Sequence, residues 1–130
     1  MGKKKKSVQE VAAVTEPLAV EESSVNNLRA SLEEIKTYDG VIGYILRNST
    51  SAAIDLNDPT KIIDFAILSS SALDAGEVLS EEFNLGTVKS IIVEGNDVKV
   101  LSLTVNENRI SVFMDREVDC EKVLRKLCSL

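Results

Sequence analysis

The sequence predicts an α+β fold in the order α-β-β-α-β-β-β-α, with helices covering both faces of antiparallel strands. Three observations carry that reading. First, Gly86 to Asp115 holds three runs rich in Val, Ile, Leu and Phe: Val88 to Glu94, Val98 to Val105 and Ile110 to Asp115. Second, these runs are separated by Gly95-Asn96-Asp97 and Asn106-Glu107-Asn108. Gly and Asn tolerate the positive φ that tight hairpins demand, so the runs read as a three-stranded antiparallel meander. Third, both pleat faces of the meander are largely apolar. In the middle run Leu101, Leu103 and Val105 point one way, and Val98 and Val100 point the other with Ser102 and Thr104. A sheet with one face in water alternates more cleanly, so each side needs a cover.

The covers are helices. From Ser23 or Ser24, either able to cap a helix start, Val25, Leu28, Leu32 and Ile35 recur at helical spacing. Gly40 suits the left-handed position after this first helix. Val41 to Arg47 then reads as a buried strand, in which Gly43 permits the close approach of a covering helix. Asn48-Ser49-Thr50-Ser51 forms a turn, and Ala52 to Leu56 returns as a weak edge strand. Asp58 is placed to cap the longest helix, with Pro59 in the first position, where its missing N–H costs nothing.

Along that helix Ile62, Phe65, Ala66, Ser69, Ala72, Leu73, Gly76, Leu79 and Phe83 form one stripe. Ile63, Ile67, Leu68 and Val78 widen the apolar surface beyond what one sheet face requires, which predicts a second partner for the helix. Its small residues, Ser69-Ser70-Ser71-Ala72 and Ala75-Gly76, fit either close packing on its own sheet or a seam between two copies. Asn84 to Gly86 ends the helix. A last helix starts near Asp119, with Cys120, Val123, Leu124, Leu127, Cys128 and Leu130 on its apolar side.

At 130 residues the chain is one domain with an appendage. Residues 1–22 lack a sustained period and read as a disordered extension bearing Lys3, Lys4, Lys5 and Lys6, with transient helix over Val8 to Val14; residues 23–130 form the domain. Met1-Gly2 opens like an acylation site, but lysines follow the glycine and the hydroxyl falls late, at Ser7, so lipidation is not expected. Net charge is −6; without the four lysines 11 basic residues remain against 21 acidic, a balance of −10. An acidic body argues against a nucleic-acid partner, since phosphate contacts need Lys and Arg. No run approaches the roughly 18 apolar residues of a membrane span, and the start lacks a secretory h-region, so no integral membrane segment is expected and the location is read as cytoplasmic.

Catalytic chemistry is not written in the chain. It has no His, so its serines lack the base that activates a nucleophile. Cys120 and Cys128 lie about two turns apart on one helix, too far for a mutual disulfide, and read as small buried hydrophobes. No glycine-rich phosphate loop is present. The acid pairs, Glu81-Glu82 and those within Asp115 to Asp119, read as solvated helix ends. Catalytic, cofactor-binding and metal-binding residues are therefore none, and no cofactor is expected.

The element order, with Gly86-Thr87-Val88-Lys89-Ser90-Ile91-Ile92-Val93-Glu94-Gly95 after the long helix and the hairpin down to Asp115, resembles the Roadblock family over Ser24 to Leu130. That family includes dynein light chain Roadblock subunits and prokaryotic regulators of Ras-like GTPases. The resemblance implies a Roadblock/profilin-like three-layer sandwich: one five-stranded antiparallel sheet, the long helix on one face and the terminal helices on the other. It also implies a homodimer in which the Val88 to Glu94 strands pair across a two-fold axis beside the long helices. The dimer residues would be Ile62, Phe65, Ser69, Ala72, Leu73, Gly76, Val88, Ser90, Ile91, Ile92 and Val93. Such a pair would be a non-enzymatic adaptor for a Ras-like small GTPase, modulating its nucleotide cycle or its localisation, with Ser70, Ser71, Asp74, Glu77 and Glu81 as contacts. From a different class, the chain would be a profilin-like or longin-like scaffold subunit of a larger complex without a GTPase.

Overall fold

In the computed structural model, residues 16–128 are described, with side chains from residue 26 onward. The expectations for Lys3 to Lys6, Met1-Gly2, Val8 to Val14 and Leu130 lie outside the described residues. The elements are α1 (Glu16–Lys36), β1 (Val41–Arg47), β2 (Ala52–Leu56), a 3₁₀ turn (Pro59–Lys61), α2 (Ile62–Phe83), β3 (Ser90–Glu94), β4 (Val98–Val105), β5 (Asn108–Asp115) and α3 (Cys120–Cys128). The five strands form one antiparallel sheet in the order β2-β1-β5-β4-β3. The α+β order, the meander and the single five-stranded sheet are as the sequence predicts.

Local chemistry sets the boundaries. The Asn48 carboxamide oxygen accepts from the amides of Thr50 and Ser51, both at 2.9 Å, and closes the β1–β2 turn. Asn106 and Glu107, with φ of 50° and 67°, make the two-residue turn between β4 and β5. The Asp58 carboxylate accepts from the Thr60 amide at 3.0 Å and caps the 3₁₀ turn that Pro59 opens, not α2 itself, which starts at Ile62 without a side-chain cap; the Thr60 hydroxyl first, and its amide next, hold that carboxyl below the ordinary range. Asn84, left-handed at φ 52°, ends α2. Asp119 accepts from the Glu121 amide at 3.0 Å at the start of α3.

Three expectations are corrected. Helix α1 is described from Glu16 onward, so Ser23 and Ser24 lie within it rather than at its start. Gly43 makes room for a strand rather than a helix: a Cβ there would collide with the Asp55 carbonyl oxygen on β2. And Cys128 is exposed, while Cys120 is half-buried.

Two apolar layers flank the sheet. On one face Leu28, Leu32 and Ile35 of α1 and Val123 and Leu127 of α3 pack on Leu101, Leu103, Ile110, Val112 and Met114. On the other, Ile62, Phe65, Ala66 and Leu68 of α2 pack on Ile45, Leu56, Val100 and Phe113. Phe65 stacks on Phe113 with ring centroids 4.6 Å apart. Farther along α2, the Ser69 hydroxyl meets that of Ser111 at 2.5 Å, and Ser111 meets Ser102 at 2.7 Å, all three buried.

Candidate functional site

Helix α2 and strand β3 build the site between them. At 22 residues α2 runs about 33 Å, whereas the five residues of β3 extend about 17 Å. The helix overruns the sheet beneath it. Leu79 and Phe83, expected on the sheet-facing stripe, therefore stand in solvent, Phe83 at 68% exposure. Ile63, at 73% exposure, Ile67 and Val78 are exposed as well. Ile63, Ile67, Asp74 and Val78 follow one another at spacings of four, seven and four residues, which places them on one line of the helix surface.

Beside that line lies a groove of about 720 Å³. Its walls are the second half of α2 (Leu73, Asp74, Glu77, Val78, Glu81), the loop at Val88 and Lys89, the start of β3 at Ser90 and Ile91, and the ends of β4 and β5 at Thr104 and Arg109. Gly76 is buried at its floor, where a Cβ would sit 3.6 Å from Val88 and 3.8 Å from Ile91. The Arg109 guanidinium reaches the Asp74 carboxylate at 3.5 Å, an exposed pair that contributes little to stability. Helix α2 carries Asp64, Asp74, Glu77, Glu81 and Glu82 and no Lys or Arg. Among the described residues, Glu77 and Glu81 have no cationic partner.

The sequence-derived set divides on this geometry. Leu73, Asp74, Gly76, Glu77, Glu81, Val88, Ser90 and Ile91 come together around the groove. Ile92 and Val93 lie exposed on β3, which among the described residues pairs only with β4. By contrast, Ile62, Phe65 and Ser69 face the chain's own sheet, and Ala72 is buried. Ser71 is exposed and Ser70 half-buried, and both stand apart from the groove. Sequence reasoning does not single out Arg109 or Thr104. Their only signal is alternation, which places odd positions of β5 and even positions of β4 on the α2 face.

Comparison with solved structures identifies this architecture. The Roadblock/LC7 domain from Streptomyces avermitilis superposes with a TM-score of 0.62 at 16% identity, over 79% of this chain and 87% of that one. The chain has the Roadblock fold. The gliding protein MglB from Thermus thermophilus matches with a TM-score of 0.60 at 14% identity, over 78% of this chain and 80% of its own. MglB from Myxococcus xanthus matches at 0.61 and 13% identity, over 92% and 87% respectively. No family model and no curated protein sequence matches the chain.

On this Roadblock scaffold, no three His, Cys, Asp or Glu side chains among the described residues gather to hold a metal ion. Burial pushes the Cys120 thiol up, which keeps it protonated and poorly nucleophilic. No helix among the described residues is long and apolar enough to cross a membrane. What the site offers is surface: an open β edge, an apolar helix line and a groove walled partly by acids.

Proposed function

We propose that the protein is a regulator of the Roadblock family that pairs with a second copy through β3 and α2 and presents the paired helices to a Ras-like small GTPase. The observation that carries this reading is the coincidence of three unfinished features on one side of the molecule. Among the described residues strand β3 has a free edge, Ile92 and Val93 are exposed on it, and Ile63, Ile67 and Val78 are exposed along α2. A free, apolar edge is a template for another strand, and two copies placed edge to edge extend the sheet and bring their α2 helices together. In this arrangement Val88, Ser90, Ile91, Ile92 and Val93 form the strand seam, and Leu73 with Gly76 shape the groove into which the neighbouring helix settles.

Ser70 and Ser71, which stand apart from the groove, and Asp74, Glu77 and Glu81 on its rim are the contacts offered to the GTPase. Such a platform needs no catalytic residue of its own; it acts by binding one conformation of the partner's switch loops more tightly than the other. The adaptor thereby shifts the partner's nucleotide cycle or its location.

Light scattering across a concentration series, with and without candidate small GTPases, tests both steps. The chain is expected to run as a dimer that takes up a GTPase. Val93→Lys puts a charge on the free edge and is expected to weaken the dimer at least tenfold while leaving the helical signal by circular dichroism intact. A chain that stays monomeric at every concentration overturns the seam. A dimer that takes up no GTPase leaves a scaffold subunit of a larger assembly.

A further inference from the structure

Two copies that meet edge to edge along β3 have few ways to align. A two-fold axis normal to the sheet makes the two strands antiparallel and keeps both α2 helices on one face. Directly opposed residues in an antiparallel pair alternate between hydrogen-bonded and non-bonded rungs. The axis carries the rung of residue i with residue j onto the rung of j with i, so those two rungs are of one kind. The numbers of opposed residues must therefore sum to an even value, because an odd sum makes two symmetry-related rungs immediate neighbours, and neighbours differ in kind. One residue of β3 then lies opposite its own copy.

Pairing within the chain fixes the side that each β3 residue takes. Val93 is opposed to Val100, in the core beneath α2, and Ile91 to Ser102, whose hydroxyl is linked through Ser111 to Ser69 of α2. Ile92 is opposed to Leu101, which packs beneath α1 and α3. Ile91 and Val93 therefore lie on the α2 side, and Ile92 lies on the other at 49% exposure. With Ile92 on the axis, every residue from Ser90 to Glu94 has an opposite number in the second copy's β3. With Ile91 on the axis only Ser90 to Ile92 do, and with Val93 on it only Ile92 to Glu94. Side-chain chemistry separates the three in the same way. Centred on Ile92, Ile91 meets Val93 of the second copy, Ile92 meets itself and Lys89 falls opposite Gly95. Centred on Ile91, Val93 is set against Lys89; centred on Val93, Ile92 is set against Glu94.

We propose that the second copy pairs with β3 in this one register, with the two-fold axis passing through the Ile92 rung. The inference rests on the edge-to-edge pairing proposed above and gives the seam two sides. Ile91 and Val93 of both copies close together on the side of the α2 helices. The two Ile92 side chains close on the opposite side of the sheet, where α1 and α3 leave that residue half open. Glu94 falls opposite Ser90 and keeps its own ion pair with Arg116 at 3.4 Å.

Single cysteines along β3 in the full chain read the axis directly. Opposed Cα atoms stand about 4.5–5.5 Å apart, within the roughly 4.4–6.8 Å that a disulfide spans, whereas diagonal neighbours stand about 7–8 Å apart. Under mild oxidation Ile92→Cys is expected to bridge to its own copy at least tenfold faster than Ile91→Cys or Val93→Cys. Peptide mapping tells that bridge from any made by Cys120 or Cys128. A mixture of Ile91→Cys and Val93→Cys chains, which leaves Ile92 native, is expected to bridge one variant to the other. Fastest self-bridging at position 91 or 93 overturns the register and leaves the seam standing. A chain that is dimeric by light scattering but bridges at none of the three positions overturns the register and the strand seam together. A chain that stays monomeric at every concentration overturns the pairing itself, and this inference with it.

Discussion

The two faces of the sheet are finished to different degrees. Under α1 and α3, Leu28, Leu32, Ile35, Leu101, Ile110, Val112, Met114, Val123 and Leu127 are all closed to water. Under α2 the buried apolar cluster shrinks to Ile45, Leu56, Val100 and Phe113, the middle of the layer is a chain of three hydroxyls, and the helix's far side leaves Ile63, Ile67 and Val78 in solvent. Apolar burial is the dominant favourable term in folding, so the first face supplies most of what holds the domain together. The second face keeps apolar surface in reserve for association.

The largest effect should come from breaking the closed face. Leu32→Ala removes a side chain with no exposed surface and is expected to cost about 2–5 kcal/mol by urea denaturation. The matched change on the open face, Ile67→Ala, is expected to stay within about 0.5 kcal/mol at concentrations where the chain is monomeric, and to weaken self-association instead. Equal losses from the two would mean that α2's far side is core, and the contrast between the faces would fall.

The hydroxyl chain sharpens the same contrast at intermediate size. Ser111 stands between Ser69 and Ser102, so Ser111→Ala leaves two buried hydroxyls without that partner, at a cost of about 1–3 kcal/mol. Replacing all three serines by Ala is expected to cost less than the sum of the single changes, because the groups act as one network. Additive losses would show that each hydroxyl satisfies its bonds elsewhere.

How much of this is legible in the sequence differs along the same divide. Asp58, Asn84, Asp119 and Gly40 announce their caps and turns because capping is local chemistry, and the α1 and α3 stripes name their own buried residues. The reach of α1 is hidden because Ser23 and Ser24 carry good capping side chains and read as a helix start, although the helix already runs through them. Gly43 points to a helix contact in error because a sequence shows that room is needed and not which neighbour takes it. Leu79 and Phe83 look sheet-facing because periodicity continues past the point where the sheet stops. The groove itself is invisible: it arises where a long helix overruns short strands, and Arg109 joins it only through the pairing of β5 with β4.

The smallest effect at ordinary pH lies at the edge of the closed face and becomes visible only in alkali. Tyr44 donates its hydroxyl to the Glu33 carboxylate, and burial first, that hydrogen bond next, push its pKa up from 10.0 to about 12. The phenol is therefore held neutral in the folded state beyond the pH at which it ionises in the unfolded chain. A group whose folded pKa is raised contributes stability that is fully present below the unfolded value and is lost as pH climbs through the folded one. Denaturation midpoints are thus expected to carry this contribution unchanged up to about pH 10 and to lose it between there and about pH 12. Tyr44→Phe should remove that part of the alkaline decline while costing only about 1 kcal/mol at neutral pH, since the exposed Glu33 turns to water. Ultraviolet titration of the folded chain, which has two tyrosines, should show one phenol ionising near pH 12, and that late step should vanish in the variant. A late step that survives in Tyr44→Phe would remove Tyr44 from the sealed edge of the closed face.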